Sequence, residues 1–192
     1  MVAVPISSLF LLFHEKMKNT IYSQQIMEIG DMKKLQKISL DYLNRNSYMR
    51  KFKHLLLSIT LCQGAANHYA VCQGKAKKYY DPKRNGLKDI DIWFFFGKDK
   101  ELNFNCRWIG HSDFGPSKFG KNPQDTYFLG RRIDFLGRSI EKKRQESKEN
   151  IIEWLRRGNA GSPKLLAQKV IVGLYPKNLF NEFLWINKKL NT

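Results

Sequence analysis

Two aspartates one residue apart are the side chains best placed to do chemistry in this 192-residue chain. Asp89 and Asp91 begin an apolar, β-prone segment that continues through Trp93–Phe96. Alternate side chains of a strand project from the same face, so the two carboxylates point one way while Ile90 and Ile92 point into a core. Adjacent carboxylates need a counter-ion, and oxygen ligands of this kind suit Mg²⁺ or Mn²⁺. The spacing is compatible with a divalent-cation site, but taken alone it more often marks two solvated surface aspartates at the start of a strand.

A third carboxylate lies in a second segment that reads as a strand, Tyr127–Gly137. Asp134 stands there between Ile133 and Phe135, directly after two arginines. A charged side chain among apolar strand residues is costly unless it faces a partner. The sequence therefore predicts that Asp134 faces a specific partner.

A possible phosphate-binding turn precedes both aspartate segments. The apolar run Leu55–Cys62 fits a buried strand or a buried helix equally well, because periodicity does not separate the two. Gly64 and Ala65 follow it, and residues 67–71 could form a short helix. Backbone N–H groups at the start of a helix can hold phosphate. Glycine turns between elements are common, so this signal is weak by itself.

The remaining elements are predicted to be mostly helical. Apolar stripes indicate helices from residue 32 to 46 and again after Asn46-Ser47, which can cap the second one. The chain after about residue 139 is predicted as three helices, near 139–157, 162–176 and 179–185. These patterns divide the chain into a poorly ordered tail (1–31), a core (32–142) and a C-terminal helical segment (143–192). The fold class expected is α/β of the α+β type, with a mixed sheet and flanking helices. We expect the strand that begins near Asp89 to neighbour the strand that contains Asp134 in this sheet, with helices packed against one face.

Composition restricts the partners and the compartment. The chain has 34 Lys and Arg against 17 Asp and Glu, and its net charge of +17 favours nucleic acid, nucleotides or another polyanion as partner. Three scattered cysteines (Cys62, Cys72, Cys106) argue against a disulfide framework and fit a reducing cytoplasm. The apolar stretch Val2–Phe13 is too short to span a bilayer, so no transmembrane segment is expected.

A basic loop over residues 75–88 carries six Lys and Arg together with Tyr79 and Tyr80. It could be a solvated connector, or an arm that contacts phosphates and stacks on bases. A second loop, Gly115–Gly120, places Lys118 between glycines, but it lacks the order of residues that defines a P-loop.

In their order, these segments resemble the signature of the DNA polymerase β-like nucleotidyltransferase superfamily. Asp89-Ile90-Asp91-Ile92 matches the family's paired-acid strand, and Ile133-Asp134-Phe135 matches its third-acid strand. The first motif departs, because Gln63 precedes Gly64 where an apolar residue is usual and Ala65 stands where the family has Gly or Ser. The resemblance covers roughly residues 55–137.

The resemblance implies a metal-dependent enzyme that moves a nucleotidyl group from an NTP to an acceptor such as RNA or protein. It implies that Asp89, Asp91 and Asp134 hold Mg²⁺ or Mn²⁺, and that Asp134 also helps to deprotonate the acceptor hydroxyl. Backbone N–H groups around Gly64 and Ala65 would then bind the triphosphate. Lys118 is a further candidate for a phosphate contact.

Two other classes of protein compete with this interpretation. PD-(D/E)xK nucleases also place acids on strands, but they need a lysine two residues after the second acid, which neither Asp91 nor Asp134 has. A non-catalytic, basic nucleic-acid-binding protein on the same fold is the stronger rival, because the first motif is degenerate.

Overall fold

Six strands form one mixed sheet in the computed structural model, which describes residues 22–101, 103–104 and 108–192. The strands are β1 (Leu56–Cys62), β2 (Ile90–Gly97), β3 (Trp108–Asp113), β4 (Arg132–Ile140), β5 (Val170–Tyr175) and β6 (Phe183–Ile186). The helices are α1 (Ile29–Arg45), α2 (Ser47–Arg50), α3 (Gln63–Cys72), α4 (Ser147–Arg156) and α5 (Gly161–Ala167). Short 3₁₀ turns lie at Lys53–Leu55, Pro82–Arg84, Lys177–Leu179 and Lys188–Leu190. The expected α/β class is confirmed.

The order of the strands places the two acidic segments side by side. The sheet runs β3-β4-β2-β1-β5-β6, and β2 and β4 are parallel neighbours while the other adjacent pairs are antiparallel. Asp91 lies directly opposite Asp134 in the β2–β4 register. This arrangement confirms the prediction that the strand near Asp89 neighbours the strand that carries Asp134.

Both faces of the sheet are covered, so the expectation of helices on one face only is wrong. Ile90, Ile92 and Ile133 are fully buried on one face, together with residues of α1 and α3. The opposite face carries Trp93 and Leu136 and packs against α4 and α5. The aspartates share this second face, because Asp91 alternates with its buried isoleucine neighbours along β2.

The C-terminal segment contains two strands where the sequence predicts helices. Helix α5 ends at Ala167, and the chain then pairs β5 with β1 and β6 with β5. The apolar spacing over 165–171 fits a helix, but Val170-Ile171-Val172 is β-branched and gains a neighbouring strand more than 100 residues earlier in the chain. Tertiary pairing therefore overrides the local periodicity. The predicted helix from residue 139 is also shorter, since β4 continues to Ile140 and α4 begins at Ser147.

The structure describes only the second part of the expected tail. Residues 1–21 and Cys106 lie outside the described residues. Ser23 and Leu87 exchange two backbone hydrogen bonds of 2.9 and 2.8 Å, and Met27 is fully buried. The described residues before α1 therefore pack against the segment that leads into β2. In the described part of the chain, the helices are all too short or too polar to cross a membrane.

Candidate active site

The three aspartates predicted from the sequence meet at one end of the parallel strand pair. Asp91 and Asp134 occupy the same level of β2 and β4, and Asp89 precedes β2 by one residue. Neighbouring strands lie about 5 Å apart, which brings the two paired carboxylates onto one small patch. All three side chains are half-buried.

Three carboxyl groups are crowded together at Asp91, and this crowding disfavours its ionised form. Burial raises the pKa of this carboxyl to about 8, and the nearby carboxylates of Asp89 and Asp134 raise it further, against the opposing effect of Lys169 and Arg132. No hydrogen bond from the described residues reaches the carboxylate of Asp89 or Asp91. A half-buried carboxylate without donors or an adjacent ion pair is costly to ionise. A bound cation would remove that cost.

Asp134 is held by an arginine of its own strand. Arg132 Nε and Nη2 both donate to Asp134 Oδ2, at 3.1 and 2.9 Å, while Nη1 donates to Asp125 Oδ1 at 3.0 Å. Both contacts to Asp134 use the same oxygen, so no described donor contacts Oδ1. Arg132 thus fixes the rotamer of Asp134 and leaves one carboxylate oxygen available.

The donor set of the patch fits a hard divalent cation, since it consists of carboxylate oxygens alone. Across residues 22–101, 103–104 and 108–192, no three His, Cys, Asp or Glu side chains are already gathered at the spacing of a bound metal ion. The contact with Arg132 also occupies Asp134 Oδ2, so this oxygen already has a cationic partner. Asp89 and Asp91 are the side chains whose charge is left for a cation.

The predicted phosphate-binding turn lies beside the acids. Strand β1 runs directly into α3, and Cys62 of β1 is the register partner of Asp91. The N-cap residue Cys62 makes no side-chain hydrogen bond to the first turn of α3, which leaves N–H groups there that can serve a ligand. Gly64 is exposed, and a Cβ added to it would meet nothing within 4 Å, whereas Ala65 is buried. Close backbone approach is therefore possible at Gly64.

Gln63 holds an unusual backbone conformation at this turn. Its φ of 59° lies in the left-handed region, which costs a non-glycine residue about 1 kcal/mol. Its Oε1 accepts a hydrogen bond of 3.5 Å from Lys169 Nζ. Gln63, the residue that departs from the nucleotidyltransferase-like motif, thus contacts a lysine of the C-terminal segment.

A cavity of about 300 Å³ connects the turn with the acids. Its walls are Tyr22, Gln63, Gly64, Asn67, Tyr79, Tyr80, Asp81, Arg84, Gly86, Lys88, Asp89, Asp91 and Lys169. The pKa of Lys169 is lowered, chiefly by burial and against the opposing effect of the nearby Asp91. The cavity thus combines carboxylates, an uncapped helix start, cations and three tyrosines in a volume typical of a small-molecule site.

Lys118 is not among the residues that line this cavity. Its ammonium group lies 2.7 Å from Glu28 Oε2 and 3.2 Å from Asp31 Oδ2, at the start of α1. The structure instead brings Lys169 to the site, a residue that the sequence analysis placed inside a helix. The signal that could have identified it is its position immediately before the β-branched run Val170-Ile171-Val172, which predicts a strand.

A second cavity, of about 270 Å³, lies at the other end of β4. Its two acids already have cationic partners, since Glu141 lies 3.1 Å from Lys143 and Glu153 pairs with Arg157. This cavity has no group of unpaired carboxylates and is not a comparable site.

Comparison of the chain with protein-family models, with curated proteins and with solved structures finds no match. The geometry of Asp89, Asp91 and Asp134 and the cavity beside them are therefore the features that point to a function.

Proposed function

We propose that this protein is a metal-dependent nucleotidyltransferase that moves a nucleotidyl group from an NTP to a hydroxyl acceptor. The observation that carries the proposal is the pairing of Asp91 with Asp134 on adjacent parallel strands, next to a cavity that reaches the uncapped start of α3. The pair Asp89 and Asp91 and the sequence-distant Asp134, together with a turn that could bind phosphate, are the kind of site that this chemistry requires.

The cavity supplies the binding groups for a triphosphate. N–H groups at Gly64 and Ala65 would donate to phosphate oxygens, and the helix dipole of α3 would favour their negative charge. Lys169 and Arg84 add positive charge to the walls. The exposed ring of Tyr80 gives the base a surface on which to stack.

Asp89 and Asp91 would hold Mg²⁺ or Mn²⁺, with the available oxygen of Asp134 as a third ligand. The cation supplies charge neutralisation at the reacting phosphate. The acceptor oxygen attacks the α-phosphorus, the bond from that phosphorus to the β-phosphate oxygen breaks, and pyrophosphate leaves. The hydroxyl proton passes to Asp134, which Arg132 holds in a fixed rotamer.

The test is incorporation of each labelled NTP, with Mn²⁺, into a pool of RNA and protein. We expect wild type to label an acceptor and Asp91→Asn to lose at least about 100-fold in activity, because an amide cannot supply the charge that binds the cation. Asp41→Asn, on α1, is the matched control and should keep wild-type activity. Equal incorporation by wild type and Asp91→Asn would refute the site.

A non-catalytic polyanion-binding protein is the second candidate, and the Arg132–Asp134 contact favours it because it neutralises one acid already. Such a protein would bind RNA equally well in EDTA and would show no thermal stabilisation by Mn²⁺ with NTP. This alternative would be established if the wild-type protein binds RNA, incorporates no labelled nucleotide and is not stabilised by Mn²⁺ with NTP.

A further inference from the structure

A row of polar side chains crosses three strands at the level of the aspartates. Asp91 on β2 is paired with Asp134 on β4, and Asp134 is paired in turn with His111 on β3. Register partners on adjacent strands project from the same face. The row therefore leads from the nucleotide-sized cavity at Asp91 to the outer strand of the sheet at His111.

A second opening lies at the His111 end of this row. It has a volume of about 420 Å³, and Asp134 and Arg132 form its inner wall. Asp89 and Asp91 line the first cavity and Asp134 lines this one, so the two openings meet at the Asp91–Asp134 pair. An acceptor placed here would reach Asp134 from the side opposite to the triphosphate.

The outer wall of the opening is an aromatic surface exposed to solvent. Trp108 is 55% exposed and Tyr127 is 97% exposed, and Leu129 beside them is 72% exposed. The ring centroid of His111 lies 6.2 Å from that of Trp108 and 5.4 Å from that of Phe128. Large apolar side chains in such a contiguous group usually mark a binding surface.

We propose that this aromatic surface, formed by Trp108, His111, Tyr127 and Phe128, binds the end of a single-stranded nucleic acid and presents its terminal hydroxyl to Asp134. The inference rests on the proposed nucleotidyl transfer and names its acceptor. Flat bases stack on exposed aromatic rings without regard to sequence, and the net charge of +17 attracts their phosphates. A protein acceptor lacks the continuous negative charge of a phosphate backbone, which the net charge of +17 complements.

The test is fluorescence anisotropy of a labelled hexanucleotide with the full chain, in EDTA and without NTP, so that no catalysis is needed. We expect Trp108→Ala and Tyr127→Ala each to weaken binding by about 5-fold or more, as loss of one stacked base does. Because stacking involves no counterion release, both variants should keep the wild-type salt slope. Tyr48→Ala, which removes a tyrosine of α2 that is 48% exposed, should bind as wild type.

Three outcomes would overturn the inference: no binding of the hexanucleotide, binding that neither substitution changes, or a labelled protein as the product of NTP transfer. Stabilisation of Trp108→Ala by Mn²⁺ with NTP, measured as a thermal shift, separates this inference from the proposed function. If Trp108→Ala is stabilised as much as the wild-type protein and also binds the oligonucleotide equally well, the assignment of the acceptor surface is wrong. The proposed nucleotide site is then unaffected. Loss of the metal-dependent shift in wild type itself would refute the proposed function instead.

Discussion

Replacing Asp91 with asparagine should stabilise the metal-free protein, and the gain should grow as the pH rises. The folded carboxyl has its pKa raised to about 8 from 3.8, chiefly by burial and then by Asp89 and Asp134. The wild-type protein therefore has the full stability associated with this group only below about pH 4, and it loses that stability as the pH rises towards 8. Asparagine does not titrate and avoids the loss.

The size of the effect follows from the shift. At pH 7 the unfolded chain is ionised at Asp91 and the folded chain is protonated, so folding costs about 1.4 kcal/mol for each pH unit above the ordinary pKa. The cost reaches at most about 4 kcal/mol at pH 7 and about 2 kcal/mol at pH 5. We expect Asp91→Asn to raise the free energy of unfolding by up to these amounts.

The measurement is urea unfolding in EDTA, from pH 5 to pH 9, for wild type, Asp91→Asn and the control Asp41→Asn. The reasoning fails if Asp91→Asn is less stable than wild type at pH 7, or if its gain is the same at every pH. Adding Mn²⁺ provides a second readout, because ligand binding to the folded state stabilises it by mass action. Wild type should gain stability from Mn²⁺ and Asp91→Asn should not.

Three further predictions address the cavity and the basic loop. Gly64→Val should fold as well as wild type, since a Cβ at this position meets nothing within 4 Å. Because Gly64 lines the cavity, the added side chain should weaken NTP binding, which a smaller NTP-dependent thermal shift would show. Lys169→Met should weaken NTP binding by about 10-fold or more through loss of a charged phosphate contact, and unchanged binding would exclude the lysine from the site. Neutralising the four lysines at 75, 77, 78 and 83 should lower the slope of RNA affinity against salt by up to about 3, and an unchanged slope would identify the loop as a solvated connector.

The amino-acid sequence alone predicts those structural features that depend only on neighbouring residues. The Asp89-x-Asp91 spacing predicts the direction of both carboxylates because the strand repeat is two residues, and the buried Ile90 and Ile92 confirm it. Asn46 was predicted to cap a helix and accepts a hydrogen bond of 3.0 Å from Met49 N. These features are local, so no knowledge of the tertiary structure was needed.

The amino-acid sequence alone does not predict the contacts that join distant segments of the chain. Lys169 reaches Gln63 across 106 positions of sequence, and it does so only because β5 pairs with β1. A helix over 162–176, as the sequence predicts, would leave no strand in this segment to pair with β1. Arg132 likewise binds Asp125 as well as Asp134, which follows from how the chain turns before β4 rather than from any motif. Pairing of strands is non-local, so periodicity within one segment does not determine it.

Within residues 22–101, 103–104 and 108–192, no Lys or Arg forms an ion pair with Asp91, and this is an argument for function. The chain carries 34 Lys and Arg against 17 acids, so cations that could pair with a carboxylate are abundant. The two cations that lower the pKa of Asp91 also contact other groups, because Arg132 binds Asp134 and Asp125 while Lys169 contacts Gln63. A fold optimised for stability alone would place an asparagine at this position. A buried carboxyl group between two others is instead what the proposed cation site requires, because strongly perturbed titratable groups cluster at functional sites.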